Sequence, residues 1–339
     1  MSNDIKIKKG LDIKLKGEAE KAIENAVISN FYSLRPEDFH GVIPRLIARV
    51  GTKVKAGEPV FHDKSNENVK FVSPVSGEIV EIPRGERRKI LAIKIQADKK
   101  QQYHDFGKLD INKAKAEDIK GRLLTSGCWP FIKQRPYDII AKPDKTPKAI
   151  FISGYASAPL AADLDFTLQG KEAELQVAIT ALGKLTEGPI HVCVGKKGKS
   201  PLASLKGITL HKVSGPHPSG NVGTQINKID PINRGEIVWT VNPQDLVIIG
   251  ELLLTGKFNA ERIVALAGSS VNKPRYFKTK IASEIASMIY DNGVDKSEDI
   301  RIISGNVLTG KQLEPDGHLG YYDNTITVIP EGHDYELFG

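Results

Sequence analysis

The period of the hydrophobic pattern changes before the middle of the chain, and this change most constrains the fold. Within 43–96, short alternating apolar runs are separated by Gly and Pro turns, a pattern typical of a compact all-β unit. A buried strand-like run follows at 148–154, then a helical pattern at 172–185 and strand-like runs at 190–194 and 208–213. Alternating strands and helices predict an α/β layer of Rossmann-like character.

The pattern changes again from about residue 260. Strand-like runs at 262–268, 301–305 and 325–329 enclose a helical pattern that predicts a helix from Thr279 to Tyr290. Strands around one helix predict a small β-grasp domain. The predicted fold class is therefore a multidomain α/β and α+β protein.

Four segments follow from these changes of pattern. We predict a barrel-sandwich unit in 1–105, a helical connector in 106–147, a Rossmann-like α/β domain in 148–258 and a β-grasp domain in 259–339. The connector is expected to be helical because Ile119, Leu123 and Leu124 have the spacing of one helix face.

The first unit resembles biotinyl and lipoyl carrier domains, whose two halves correspond to 54–60 and 73–80. Those carriers are modified on a lysine between the halves, and the residue at that place here is Lys64. The segment Asp63–Lys70 reads about two residues too long for the carrier register, so Lys64 is expected to be a solvated turn residue.

Composition and spacing exclude several classes of function. The formal net charge is 48 − 41 = +7, but it is spread over short runs, and no nucleic-acid-binding motif accompanies it. Cys128 and Cys193 form no CxxC pair, and the histidines lack ligand spacing, so no metal or iron–sulfur site is expected. No nucleophile–base pattern predicts a catalytic residue. The longest apolar run, 246–254, is too short to cross a membrane, and no secretory signal is recognised.

The chain resembles a known family in several idiosyncratic segments. These segments are 5–12, 148–151, 215–220, 303–310 and 336–339. They are similar to the NqrA family, the members of which are subunits of the sodium-translocating NADH:quinone oxidoreductase of bacterial membranes. The resemblance implies a peripheral subunit of a complex that oxidises NADH, reduces ubiquinone to ubiquinol and exports Na⁺. Members of the family continue into a helical C-terminal segment, so the chain is expected to be C-terminally truncated.

The family is related to RnfC and to the flavin-binding NADH subunit of respiratory complex I. Where those relatives have a glycine-rich flavin loop, this chain reads Gly127–Phe131, with bulky rings at Trp129 and Phe131. The resemblance therefore implies that NADH, FAD, FMN, iron–sulfur clusters and ubiquinone belong to the assembled complex, and that this chain binds no flavin or cluster. It also implies a place on the cytoplasmic side of the inner membrane, with membrane contact through other subunits.

The implied contribution of this chain is quinone access or docking, with ubiquinone or menaquinone as the quinone. His217 and Gly220 lie in a Pro/Gly-rich loop after a predicted strand, where His217 would donate to a quinone carbonyl. Tyr155 lies at the corresponding end of the preceding strand, and Trp129 and Phe131 would stack on the ring. The alternatives are a rigid turn at His217 and a core role for the two rings.

Two other functions stay open at this point. One is a biotinyl-fold scaffold that only binds partners, and the other is an RnfC-like electron-transfer subunit that holds FMN.

Overall fold

The computed structural model of the chain describes residues 3–332 apart from 296 and 298, and of Asn3 only the backbone. The segment 336–339, which contributes to the family resemblance, lies outside the described residues. The described part folds into three regions that follow each other along the chain.

The first part of the chain contains nine short strands, and the last seven of them form the N-terminal region. They are β1 (Asn3–Lys6), β2 (Glu20–Asn25), β3 (Phe31–Leu34), β4 (Pro44–Leu46), β5 (Lys53–Val54), β6 (Pro59–Asp63), β7 (Asn66–Val72), β8 (Gly77–Glu81) and β9 (Ile93–Ala97). Two small sheets, ordered β3-β9-β8-β5 and β4-β6-β7, form the predicted barrel-sandwich. Phe61 on β6 and Phe71 on β7 are cross-strand partners in the second sheet and stack with ring centroids 4.3 Å apart, and both rings are buried.

Lys64 lies at the turn between β6 and β7, and its side chain is exposed. Asp63 pairs with Asn66, so the turn contains only Lys64 and Ser65 and is shorter than the sequence predicted. The prediction of a solvated turn lysine is confirmed.

The central region contains six further strands and five helices. They are α1 (Ala116–Thr125), β10 (Lys133–Arg135), β11 (Ile139–Ile140), β12 (Ile150–Gly154), α2 (Leu164–Thr167), α3 (Glu172–Gly183), β13 (Ile190–Gly195), β14 (Thr209–Ser214), α4 (Val222–Ile229), β15 (Val238–Thr240) and α5 (Pro243–Thr255). Their sheet has the order β1-β14-β13-β12-β15-β10-β11. The predicted strands and helix of the Rossmann-like layer are confirmed to within about two residues.

The predicted connector contains more than a helix. Ile119 and Leu123 of α1 are buried, as the helical spacing predicted. Downstream of α1, however, β10 pairs antiparallel with β15, and β11 pairs with β10. The segment therefore extends the central sheet by two strands.

Helices α3 and α5 pack together on one face of this sheet. The Asn242 side chain accepts a hydrogen bond from the Gln244 backbone N–H at 3.0 Å and begins α5, and Gly256 ends the helix with φ +76°. A Cβ on Gly250 would lie 2.0 Å from the Glu174 carbonyl oxygen, so glycine permits this close approach of the two helices.

The C-terminal region forms a mixed sheet with one short helix. Its elements are β16 (Glu261–Ala267), β17 (Arg275–Lys280), α6 (Ala286–Tyr290), β18 (Ile300–Ser304), β19 (Lys311–Leu313) and β20 (Thr325–Pro330). The strand order is β19-β18-β20-β16-β17-β2, so the N-terminal strand β2 completes the sheet. Because β1 joins the central sheet, the first 25 residues connect two regions of the molecule.

The predicted helix from Thr279 to Tyr290 is wrong over its first half. Thr279 and Lys280 belong to β17, where they pair antiparallel with β16. Ala282 then has φ +62°, which an α-helix cannot contain, and only 286–290 is helical. Strand pairing with β16 therefore decides the backbone conformation at the start of this segment, although the residues at 281, 285, 288 and 289 are buried as the spacing predicted.

Candidate functional site

The strand order of the central sheet reverses at β12. This strand lies between β13 and β15 and is parallel to both. The chain first adds β13 and β14 on one side of β12 and then returns to place β15 on the other side. The strand order therefore reverses between β12 and β15, and the carboxyl ends of the strands at such a reversal are the usual ligand position in sheets of this kind.

A cleft of about 760 Å³ occupies this position. Its walls come from the carboxyl ends of β12 and β15, the N-terminal ends of α4 and α5, and strand β10. The C-terminal region closes the opposite side with residues from 305–309 and 322–325. The cleft therefore lies between two regions, and its volume suits a small organic ligand.

Gly220 lines the cleft at the end of the Pro/Gly-rich loop. Its backbone N–H donates to the Ser157 hydroxyl at 2.7 Å, and its carbonyl accepts from the Ser153 hydroxyl at 2.9 Å. A Cβ at this position would lie 2.5 Å from the Ser157 backbone nitrogen. Glycine is required here because the loop packs directly on the segment after β12, which shapes one end of the cleft.

His217 does not line the cleft. Its Nδ1 lies 3.1 Å from the hydroxyl oxygen of Ser157, which does line it. The His217 backbone is fixed on its other side, since its N–H donates to Asp12 Oδ1 at 3.1 Å and its carbonyl accepts from Leu11 N–H at 3.0 Å. A proton or hydrogen bond from His217 would therefore reach the cleft through Ser157.

Tyr155 lines the cleft and is partly buried. A Cβ on Gly195 would lie 3.1 Å from the Tyr155 ring, so the small residue at the end of β13 leaves room for the aromatic side chain. Ala156, Ser157 and Ala158 continue the same wall with small side chains. This wall is open enough for a flat ring to lie against it.

Trp129 and Phe131 differ in their relation to the cleft. Trp129 is fully buried, its Nε1–H donates to the Ala141 carbonyl at 2.7 Å, and its ring meets Trp239 at 5.6 Å between centroids. Phe131 is also buried, but it forms part of the cleft wall. The structure thus places Phe131, Tyr155 and Gly220 at the cleft, His217 one hydrogen bond away, and Trp129 in the core behind it.

Five charged residues of the cleft were missed by sequence reasoning, namely Lys133, Arg135, Asp138, Asp245 and Asp323. Three of them lie on or next to β10, in the segment predicted as a helical connector. No local pattern marks these three as site residues, because it is the antiparallel pairing of β10 with β15 that brings their segment to the cleft.

A buried ion pair joins the two regions beneath the cleft. Asp245 on α5 and Arg262 on β16 form a salt bridge, and both side chains are almost fully inaccessible to solvent. Burial raises the pKa of Asp245 to about 6, although the Arg262 guanidinium opposes this change. Arg262 also donates to Asn324 Oδ1 at 3.0 Å, a bond within the C-terminal region that fixes the guanidinium beside Asp245.

Neither cysteine provides a reactive group. Both are buried, and burial raises the pKa of Cys128 and of Cys193 to about 12. Both thiols are therefore protonated near neutral pH and are poor nucleophiles. Within residues 3–332, apart from 296 and 298, no group of three or more His, Cys, Asp or Glu side chains is arranged to hold a metal ion.

The helices of the described part of the chain are short. Even α5 has only 13 residues, whereas a helix needs about 20 apolar residues to span a bilayer. None of the described helices is both long enough and apolar enough to cross a membrane.

Three family models match the chain in succession. Residues 5–98 match the NqrA N-terminal barrel-sandwich hybrid domain, 114–258 match the NqrA second alpha/beta domain, and 263–314 match the NqrA C-terminal domain. The second match begins inside the segment predicted as a connector and includes β10 and β11.

Curated relatives match almost the whole chain. The NqrA subunit of the Na(+)-translocating NADH-quinone reductase of Neisseria meningitidis serogroup A is 36% identical over 338 residues, covering 99% of this chain and 75% of the relative. Its counterpart in Yersinia pseudotuberculosis serotype O:1b gives the same identity and coverage. Among solved structures, an NAD+-reducing [NiFe]-hydrogenase in the air-oxidized state overlaps with a TM-score of 0.44 at 12% identity, covering 65% of this chain and 48% of that chain. The three domain matches and the identity over nearly all residues establish that this chain belongs to the NqrA family of Na⁺-translocating NADH-quinone reductase subunits.

Proposed function

We propose that this chain is a peripheral subunit of a Na⁺-translocating NADH:quinone reductase and that its cleft admits the head group of the quinone. In the complete complex, NADH is oxidised, a quinone is reduced and Na⁺ is exported. The contribution of this chain is a docking place for the quinone ring, with ubiquinone or menaquinone as the ligand.

One observation carries this proposal: the cleft at the carboxyl ends of β12 and β15 brings Phe131, Tyr155 and Gly220 together. Its volume of about 760 Å³ is within the range of small-molecule sites. Aromatic and small side chains together in the cleft lining suit a flat ring, which prefers offset aromatic contact. Ser157, hydrogen-bonded to His217, supplies a hydroxyl that can meet a quinone carbonyl.

The electron carriers belong, in this proposal, to other subunits. Trp129 fills the interior at the position that a glycine-rich flavin loop occupies in the related flavoproteins, and its indole N–H already donates to Ala141. We therefore place FAD, FMN, iron–sulfur clusters and the NADH site elsewhere in the complex. The chain would lie on the cytoplasmic side of the inner membrane and touch the membrane through its partner subunits.

Tryptophan fluorescence tests the quinone site directly. Trp129 and Trp239 are in contact with each other behind the cleft, and Phe131 and Thr240, close to them in sequence, line it. A short-chain, water-soluble ubiquinone titrated into the purified chain should quench their emission in a saturable manner. A response that stays flat, or that rises linearly without saturation, would overturn the proposal and favour the scaffold function.

Matched variants locate the quenching. Ala158→Phe places a ring in the cleft wall and should weaken saturable quenching at least roughly tenfold, because the ligand loses its space. Ala203→Phe makes the same change at an exposed position that does not line the cleft and should leave the titration unchanged. Equal loss in both variants would place the bound quinone elsewhere.

A visible absorption spectrum tests the RnfC-like alternative. The chain purified from its own organism together with its partner subunits, and then separated from them, should carry no flavin absorption. Stoichiometric FMN in the separated chain would contradict the assignment of the flavins to other subunits.

A further inference from the structure

Lys133 is a charged group of the cleft that has no anionic partner within the described residues. It lies on β10, lines the cleft and is partly buried. Its Nζ lies 3.8 Å from the centroid of the Tyr322 ring, and the Tyr322 hydroxyl donates to the Pro130 carbonyl at 2.8 Å. The ring is thus held by its own hydrogen bond and presents a face to the ammonium group.

Each of the other charged groups of the cleft has at least one polar partner. Arg135 pairs with Asp138 at 3.3 Å, and Asp245 pairs with Arg262. Asp323 accepts from the Ser304 hydroxyl at 2.6 Å, and burial raises the pKa of this carboxyl. No carboxylate of the described residues lies within 4.0 Å of the Lys133 nitrogen.

Burial makes this position costly for a cation. It lowers the pKa of Lys133, although carboxylates farther away, with Asp138 first among them, oppose the change. A partly desolvated ammonium without an acceptor interacts strongly with any electron-rich oxygen that enters the cleft, because few waters compete for its protons.

A second set of unpaired donors lies at the N-terminus of α4. The Asn221 side chain does not cap the helix, and the N–H groups of Val222 and Gly223 have no acceptor among the described residues. Both residues line the cleft. The positive end of the helix dipole therefore acts on the same space as Lys133 and favours a ligand with acceptor oxygens.

We propose that Lys133 receives an oxygen of the quinone and makes the cleft prefer ring ligands that carry negative charge on that oxygen. This inference rests on the proposed quinone site and adds the group that determines its selectivity. The chemical class of ligand is a quinone ring with an ionised oxygen, which includes the anionic reduced forms. A neutral quinone of the same size would bind more weakly, since it offers only a carbonyl dipole to the ammonium.

Two naphthoquinones of similar size separate charge from shape. 2-Hydroxy-1,4-naphthoquinone is an anion near neutral pH, whereas 2-methyl-1,4-naphthoquinone is neutral. Both are titrated into the purified chain and followed through tryptophan quenching. The wild-type chain should bind the anionic probe roughly tenfold more tightly than the neutral one, as expected for a hydrogen bond to a charged group.

Substitutions at Lys133 identify the origin of that preference. Lys133→Met removes the charge but keeps the unbranched stem, and should reduce the affinity for the anionic probe roughly tenfold while changing the neutral probe less than about threefold. Lys133→Arg keeps the charge and should retain the preference. Lys145→Met removes an exposed lysine that does not line the cleft and should behave as the wild type.

The outcomes separate the two proposals. If both probes bind but their affinity ratio is the same in the wild type and in Lys133→Met, the role of Lys133 is overturned and the quinone site stands. If neither probe quenches the wild type, the quinone site itself falls, and with it the inference. A native near-ultraviolet circular dichroism spectrum of Lys133→Met confirms that any loss of affinity is not a loss of folding.

Discussion

The two faces of the central sheet differ sharply in composition. On one face, β12 and β13 present Ile150, Ile152 and Val192, which belong to the largest apolar cluster of the described residues. The residues between them, such as Phe151 and His191, point to the opposite face. Because side chains alternate along a strand, the same strands build both surfaces.

The helices that cover the two faces also differ in how many apolar side chains they bury. Helices α3 and α5 cover the first face with fully buried leucines such as Leu182 and Leu252. Helix α4 covers the second, where the apolar cluster contains only Ala149, Phe151, Ile226 and Val238 as buried members among the described residues. Buried polar side chains lie on this second side, including His191, His211, Gln225 and Thr240.

This difference separates stability from ligand binding. The aliphatic face gains free energy from burial, which needs no particular partner. The polar face is stabilised only where its buried donors and acceptors find partners, and the hydroxyls at its carboxyl edge, on Ser153 and Thr240, line the cleft. Substitutions on the aliphatic face should therefore change the free energy of unfolding. Substitutions on the polar face should also change the pH dependence of stability or the affinity for a ligand.

The largest expected effect belongs to the aliphatic face. Leu182→Ala should lower the free energy of unfolding by about 3 kcal/mol, because the side chain is fully buried and its removal leaves a cavity. Ile226→Ala on α4 removes a buried side chain from the small cluster and should cost about 2 kcal/mol. Guanidinium denaturation measures both. A larger loss for Ile226→Ala would contradict the difference between the faces.

The polar face should give stability a pH dependence. Burial, followed by the neighbouring His211, lowers the pKa of His191 to about 4, and burial also lowers the pKa of His211. The His191 Nδ1 lies 3.0 Å from His211 Nε2, the Phe151 ring packs against His191, and Asp230 slightly opposes the change. Both imidazoles are therefore neutral in the folded chain at neutral pH.

The sign of the effect follows from proton binding. Between pH 6.5 and about 4 the unfolded chain binds more protons than the folded one, so stability is complete above pH 6.5 and is lost as the pH falls. From pH 7 to pH 5, His191 alone should account for a loss of about 2 kcal/mol. His191→Leu should reduce the slope, but His318, whose pKa burial also lowers to about 4, should leave part of it.

Leu182→Ala is the control for this pH dependence. It should lower stability equally at each pH, because it changes no titrating group. If His191→Leu leaves the slope between pH 7 and pH 5 unchanged, the histidine pair does not determine the acid sensitivity of this face.

The aliphatic face could be predicted from sequence, and much of the cleft could not. The apolar run 150–152 and the mostly apolar run 190–194, which His191 interrupts, indicate buried strands, and the period of 172–185 indicates a covering helix. These signals are local. The position of Lys133 in the cleft depends instead on the antiparallel pairing of β10 with β15, between segments about a hundred residues apart.

The candidate residues show the same division. The loop position predicted the closeness of Gly220 to the cleft, because loops at the carboxyl ends of parallel strands meet at one edge of the sheet. The bulk of Trp129 could not reveal whether the ring enters the cleft or the core, since packing on Trp239 and the hydrogen bond to Ala141 decide this. The helix predicted over Thr279–Tyr290 failed for a similar reason, as pairing with β16 outweighed local periodicity.

The smallest expected effect on stability concerns Gln225, whose hydrogen bonds connect the polar face to the cleft wall. Gln225 on α4 is buried, and its Nε2 donates to the Ser153 hydroxyl at 2.9 Å and to the Ser219 carbonyl at 3.1 Å. Gln225→Leu should cost about 1 kcal/mol, because two acceptors lose their donor. It should also weaken quinone binding several-fold, since Ser153 and the adjoining Gly220 line the cleft.

Gln176→Leu is the matched control on the other side of the sheet. The Gln176 side chain on α3 donates to the Lys206 carbonyl at 3.1 Å, and α3 contributes no residue to the cleft wall within the described part of the chain. Its loss should cost a similar free energy without changing the quinone titration. Equal weakening of quinone binding by both glutamine variants would mean that affinity follows global stability, and the separation between the two faces would then fail. Weakening by Gln225→Leu alone, at matched stability, would assign the hydrogen bonds of Gln225 to the shape of the cleft.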